Sequence, residues 1–231
     1  MKKLLLISKA AIFLMFFCLF SNSVKGQDNM GNTLPQFIFP TFRPGVILFK
    51  DGQQVKMLLN YNMVDQMMVT EVEGIYRYSK NPDLIDTIYI GDRKFVPLGR
   101  IFYELLAGGP VPFYLQNKSS YTPKGADIGY GAKSQSVGPT QYKRFEVTNA
   151  MSLYNEVVKI DLPPNVTITK ASDYWVNKDG QMEDFNNSRQ FLKIFPDKEA
   201  ALKQFIKKQR INFTRREDVI KLGQYCNSLY R

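Results

Sequence analysis

From residue 46 onward, short runs of β-branched and aromatic residues alternate with Gly, Pro, Asn and Asp pairs, the spacing of strands joined by tight turns. The densest stretch is 86–116. It contains Ile88-Tyr89-Ile90, Phe95-Val96-Pro97, Phe102-Tyr103-Glu104-Leu105-Leu106 and Val111-Pro112-Phe113-Tyr114-Leu115, punctuated by Gly91-Asp92 and Gly108-Gly109-Pro110. That pattern predicts the middle of an antiparallel sheet. Upstream, 46–50, 53–59, 67–72 and 75–78 read as strands, the first two joined by Asp51-Gly52 in a type I′ turn. Downstream, 117–143 mixes Gly, Ser, Lys and Gln with few large aliphatics and reads as a flexible loop. Strands resume over 154–162, 166–170 and 174–178, where Asp179-Gly180 makes another tight turn.

After residue 187 the hydrophobic period changes from two to three and four. Asn187 or Ser188 caps a piece carrying Phe191, Leu192 and Phe195, which Pro196 ends. Asp197 caps a second helix with Leu202, Phe205 and Ile206 on one side. Thr214 and Glu217 have the spacing of a capping box before Val219, Leu222, Gly223, Cys226, Leu229 and Tyr230. The expected class is α+β, mainly β: an antiparallel meander forming a sandwich or partly open barrel, with two or three C-terminal helices packed on it.

The ends divide the chain further. Lys2 and Lys3 followed by an almost wholly apolar run to Phe20, with Val24 and Gly26 as small residues before Gln27, read as a cleaved signal peptide over 1–26. No transmembrane segment is then expected in what remains. Residues 27–45, rich in Pro and Phe, read as an extended lead-in that pins its aromatics on the sheet. An antiparallel β domain spans 46–187 and a basic helical segment 188–231.

Composition narrows the chemistry. The chain has no histidine, which excludes Ser-His-Asp and Cys-His sites and any His-ligated metal. Cys18 leaves with the leader, so Cys226 is the one thiol, without a disulfide partner, and its place in an apolar stripe reads as a small buried hydrophobe. The charge is unevenly spread. Residues 188–231 hold eleven Lys and Arg against four acids, whereas 27–187 hold sixteen against seventeen. A neutral body with one basic face is the expected picture.

The glycines around Lys133 lack Gly directly before the lysine, so they form no phosphate loop, and the acids lack a calcium-loop spacing; no cofactor and no metal are expected. Paired carboxylates among Asp83, Asp86, Glu146, Glu156 and Asp161 are the remaining acid–base machinery, and nothing in their spacing selects a catalytic pair, so the catalytic residues stay unknown. Tyr174 and Trp175 could stack on a sugar ring, although strand alternation lets only one of them face outward. Lys203, Lys207, Lys208, Arg210, Arg215 and Arg216 form a basic helical face suited to an acidic envelope surface or an acidic protein partner, and nucleic acid is a poor partner outside the cytoplasm. The expectation is a non-enzymatic exported module binding through that face. The alternatives are a carboxylate-dependent hydrolase of envelope glycans or a carbohydrate-binding module. The sequence leaves the oligomeric state open.

Phe49-Lys50-Asp51-Gly52, Asn60-Tyr61-Asn62, Gly91-Asp92-Arg93-Lys94-Phe95-Val96-Pro97, Asp173-Tyr174-Trp175 with Lys178-Asp179-Gly180, and Phe195-Pro196-Asp197-Lys198 together resemble a group of uncharacterised exported proteins of Bacteroidota. The resemblance runs over most of 45–231, and the cleavage point before Gln27 is similar too. It implies a β-rich architecture in the periplasm or cell envelope of a Gram-negative bacterium, and it implies no activity. Asp86-Thr87-Ile88 also has the form of an O-glycosylation site of exported proteins in that phylum, with Thr87 as acceptor.

Overall fold

The computed structural model describes residues 34–79, 81–123, 156–157 and 166–230. The leader at 1–26, the glycines around Lys133 and the carboxylates Glu146 and Asp161 lie outside the described residues. The strands are β1 (Arg43–Phe49), β2 (Gln54–Asn62), β3 (Met67–Val72), β4 (Ile75–Tyr78), β5 (Ile85–Ile90), β6 (Arg93–Leu98), β7 (Ile101–Ala107), β8 (Phe113–Pro123), β9 (Glu156–Val157), β10 (Val166–Lys178) and β11 (Gln181–Phe185). Three helices follow: α1 (Ser188–Ile194), α2 (Glu199–Gln209) and α3 (Arg216–Ser228).

All eleven strands belong to one sheet, in the order β11-β10-β8-β7-β6-β5-β1-β2-β3-β4-β9, with every described pairing antiparallel. Two meanders, β1–β4 and β5–β8, meet along the β1–β5 ladder. The sheet rolls without closing into a barrel, because among the described residues no ladder joins its edge strands β11 and β9. Its inner face alternates as a half-buried sheet should: Ile47, Leu59, Tyr61, Met68, Ile88, Ile90, Phe95 and Phe102 form one buried cluster with Phe39 of the lead-in. The pinning of the lead-in aromatics is therefore present, and Phe37 is buried with Val69 and Tyr78 on the opposite face.

A fork in the sheet sets the later geometry. β7 and β8 pair only from Glu104–Leu115 to Ala107–Phe113, and beyond Leu115 strand β8 pairs with β10 alone. The turn between β2 and β3 enters the gap. Phe102 N donates to Gln66 O at 3.0 Å and Ser119 N to Met63 O at 2.8 Å. The buried Tyr61 hydroxyl reaches across to Phe102 O at 3.0 Å and Asn117 O at 2.9 Å. These bonds satisfy backbone groups that the splayed strands would otherwise leave orphaned. Burial first, then the charges of Tyr103 and Glu104, raises the Tyr61 phenol well above its ordinary range, so it stays a donor.

The second core lies under the helices. Leu106, Phe113, Leu115, Tyr174, Val176 and Phe185 of the sheet pack against Phe191, Phe195, Leu202, Val219, Leu222 and Cys226. Gly223 is where α3 comes closest: a Cβ there would lie 3.0 Å from both the Ala107 and Phe113 side chains. Asn227 fixes the same contact, accepting from Val111 N at 2.9 Å and donating to Val111 O at 2.8 Å. Cys226 is fully buried, and desolvation followed by the charge of Asp197 pushes its thiol up to about 12. Its reaction with a disulfide reagent at mildly alkaline pH is expected to run at least ~10³-fold slower in native protein than in urea-unfolded protein, since it requires local opening. A rate near that of the unfolded chain would mean that α3 is not docked.

Local chemistry departs from the sequence reading at several points. Asp51-Gly52 is not a type I′ turn, because only Gly52 takes a positive φ (87°). Type I′ needs two such residues, and Glu73-Gly74 (54°, 74°) and Asp179-Gly180 (53°, 82°) supply them. Residues 117–123 are not loop but the end of β8, and 166–178 form one strand, because Ser119, Ser120 and Thr122 pair along it with Lys170, Thr169 and Thr167. Asn187 caps α1 by accepting from Gln190 N, as expected. Asp197 does not cap α2: it accepts from Tyr230 and pairs with Lys178. The Thr214–Glu217 box does not form either, since Thr214 Oγ1 donates to Asn212 at 2.8 Å and the helix begins at Arg216.

Candidate binding surfaces

The strongest polar feature was not anticipated. Glu104 has a side chain with no solvent exposure, at the fork where the two cores meet. Phe102 and Leu106, its neighbours on the inner face, belong to different cores. Arg93 of β6 grips the carboxylate with two nitrogens, Nε at 2.9 Å from Oε1 and a terminal nitrogen on Oε2. Arg216 at the start of α3 donates Nε to Oε1 at 2.7 Å, and Asn117 Nδ2 donates to Oε2 at 3.3 Å. A buried carboxylate is tolerable only when its lone pairs are occupied in this way. The node joins helix to sheet across 112 residues of sequence and is filled by the chain's own groups.

This geometry removes one member from the expected basic face. Arg216 is three-quarters buried and turned to Glu104, so it does not stand with the others. Lys203, Lys207, Lys208, Arg210 and Arg215 are exposed, and among the described residues none takes part in an ion pair. Lys203 and Lys207 are one turn apart on α2, with Lys208 beside them, while Leu202 on the opposite side is fully buried. Arg210 closes the helix in a left-handed conformation (φ 51°), its amide N–H capping the carbonyls of Ile206 and Lys207. In the sheet body, Arg93 and Lys118 are paired, with Glu104 and Asp173 respectively. In the helical layer, Lys198 and Lys221 are paired with Asp197 and Asp218, which leaves the α2 cations as the dense unpaired group there.

The Tyr174-Trp175 pair divides as alternation requires. Tyr174 points inward, 4% exposed and stacked on Phe185 at 5.8 Å, so it is unavailable to a ligand. Trp175 lies on the opposite, outer face, partly exposed, with Tyr103 edge-on at 6.4 Å. Tyr114 lies 6.3 Å from Tyr103 on the same face. Thr87 is 9% exposed on β5 and donates its hydroxyl to Asp86 at 2.9 Å. In the folded chain this hydroxyl is largely covered and engaged in that bond. Asp83 and Asp86 are exposed and belong to no described cleft, and among the described residues no group of three acidic or thiol side chains could hold a metal ion. No helix among the described residues is long and apolar enough to cross a membrane. Comparison with protein-family models, with curated proteins and with solved structures found no match.

Proposed function

We propose that this chain is an exported, non-enzymatic binding module that docks on an anionic envelope surface through the exposed face of α2 and the turn after it. The observation that carries the reading is the density of exposed, unpaired positive charge along one short stretch of chain. Lys203, Lys207, Lys208 and Arg210 fall within eight consecutive positions, exposed and without an ion-pair partner among the described residues. Solvated helices often carry lysine, but here the excess of the mature chain is concentrated in one layer over a near-neutral sheet. Lipid phosphates suit such a face because each cation near an anionic surface contributes about 1 kcal/mol without shape-specific contacts. The apolar leader and the lack of histidine, which leaves no conventional triad, support export and binding over catalysis.

The test is cosedimentation with vesicles of phosphatidylglycerol and phosphatidylcholine, against phosphatidylcholine alone. Binding to the anionic vesicles is expected to fall with salt, and the triple change Lys203→Glu, Lys207→Glu, Lys208→Glu should weaken it at least about a hundredfold. These residues lie on the solvent side, so the fold should persist. Binding that ignores both salt and charge reversal would remove α2 as the contact.

A further inference from the structure

The outer face of the sheet, on the side away from the helices, carries a second site. Trp175 Nε1 donates to Gln116 Oε1 at 3.0 Å, and Gln116 Nε2 donates to Gln66 Oε1 at 2.7 Å. The relay fixes the orientation of both amides, and among the described residues no acceptor is paired with the Gln66 N–H groups, its donor end. Gln66 reaches this face because its turn is wedged in the fork, and it holds a positive φ of 57° there. That conformation is uncommon for a non-glycine residue and here closes the β2–β3 turn. Asp173 stands directly across from Gln116 on the β8–β10 ladder and pairs with Lys118, both partly exposed. Burial, then Asp173, raises the Tyr103 phenol, while Lys118 opposes the shift, which places its hydroxyl within reach of that pair's field.

We infer that this surface binds a saccharide chain, one pyranose face lying against the Trp175–Tyr103 aromatics and its hydroxyls meeting Gln66, Asp173 and Lys118. Sugars present both an apolar C–H face and a rim of hydroxyls that donate and accept. A surface for them therefore needs rings flanked by an amide, a carboxylate and an ammonium, as here. A protein partner would favour a continuous apolar patch. The large hydrophobics that stand most exposed, Leu58, Val72, Ile75 and Leu84, belong to β2, the β3–β4 hairpin and the turn before β5, not to this surface. The site is independent of α2, which packs on the opposite face.

Trp175 is the only tryptophan in the chain, so its emission reports on this site alone. The experiment titrates the mature protein with chitohexaose, cellohexaose, maltohexaose, xylohexaose and mannohexaose up to about 10 mM, enough to register a Kd near 1 mM. At least one is expected to change the emission saturably. Tyr103→Ala should weaken that binding about tenfold, the size of one lost contact of this kind. Gln66→Asn, which tolerates the left-handed backbone but shortens the reach, should weaken it several-fold, whereas the Lys203/Lys207/Lys208 reversal should leave it unchanged. Absence of a response to all five sugars overturns the inference. So does binding that Tyr103→Ala and Gln66→Asn leave intact, or a dimer seen by light scattering that Trp175→Ala dissociates.

Discussion

Truncating Glu104 to alanine is expected to lower the stability to urea by about 3–5 kcal/mol, the range seen when one member of a buried ion pair is removed. The carboxylate is the shared acceptor of Arg93 and Arg216, whose side chains are only 17% and 25% exposed. Without it, two guanidinium groups of like charge face each other at the junction of the cores, and Asn117 loses an acceptor. The cost comes from stranded charge, not from lost volume. The combined change Glu104→Leu, Arg93→Met, Arg216→Met should therefore recover most of it, since apolar replacement of a whole buried ion network is often neutral or better. Arg216→Ala separates the two roles assigned to the basic residues. It should destabilise the fold while leaving vesicle binding within about threefold of wild type, because that arginine faces Glu104 and not solvent. Equal stability of Glu104→Ala and wild type would show that the node is not closed in solution.

The half of this node on β7 was open to reading in the sequence, and the other half was not. Phe102, Glu104 and Leu106 alternate, so a strand that buries the two hydrophobes also buries the carboxylate. Its partners could not be located, because they come from the neighbouring strands β6 and β8 and from a helix 112 residues away. Strand alternation likewise identified the Tyr174-Trp175 pair and required one of them inward, but not which. The amides that orient Trp175 lie on β8 and on the β2–β3 turn, and the fork that brings them together follows from where a ladder stops. The helical stripe was legible through Leu202, Val219, Leu222 and Cys226, all buried. Caps were legible only where the local bond had no competitor: Asn187 keeps its cap, whereas Asp197 is drawn away by Lys178 and Tyr230. The end of β8 was hidden by composition, since Lys118, Ser119, Ser120 and Thr122 owe their strand to pairing with β10.

Phe113→Ala is the second change expected to cost about 3–5 kcal/mol, and its effect should be confined differently. The ring is fully buried at the centre of the helix-covered core, with Phe185 and Phe191 at 5.9 Å and Phe195 stacked at 6.5 Å. Gly223 of α3 packs directly on it. Truncation opens a cavity walled by rings of β11, α1 and the turn after α1, and these cannot all move inward because Asn227 holds α3 to the Val111 backbone. The rolled core around Tyr61 contains no atom of Phe113. The loss should therefore fall first on the helical layer: Cys226 should react with the disulfide reagent at least about a hundredfold faster than in wild type. Protection of the amides bonded by the β2–β3 turn, Phe102 and Ser119, should change less. Glu104→Ala belongs to both cores and should lower protection in both together. If Phe113→Ala released the Phe102 and Ser119 amides as readily as the Cys226 thiol, the two cores would be one cooperative unit and Glu104 would lose its place as the hinge between them.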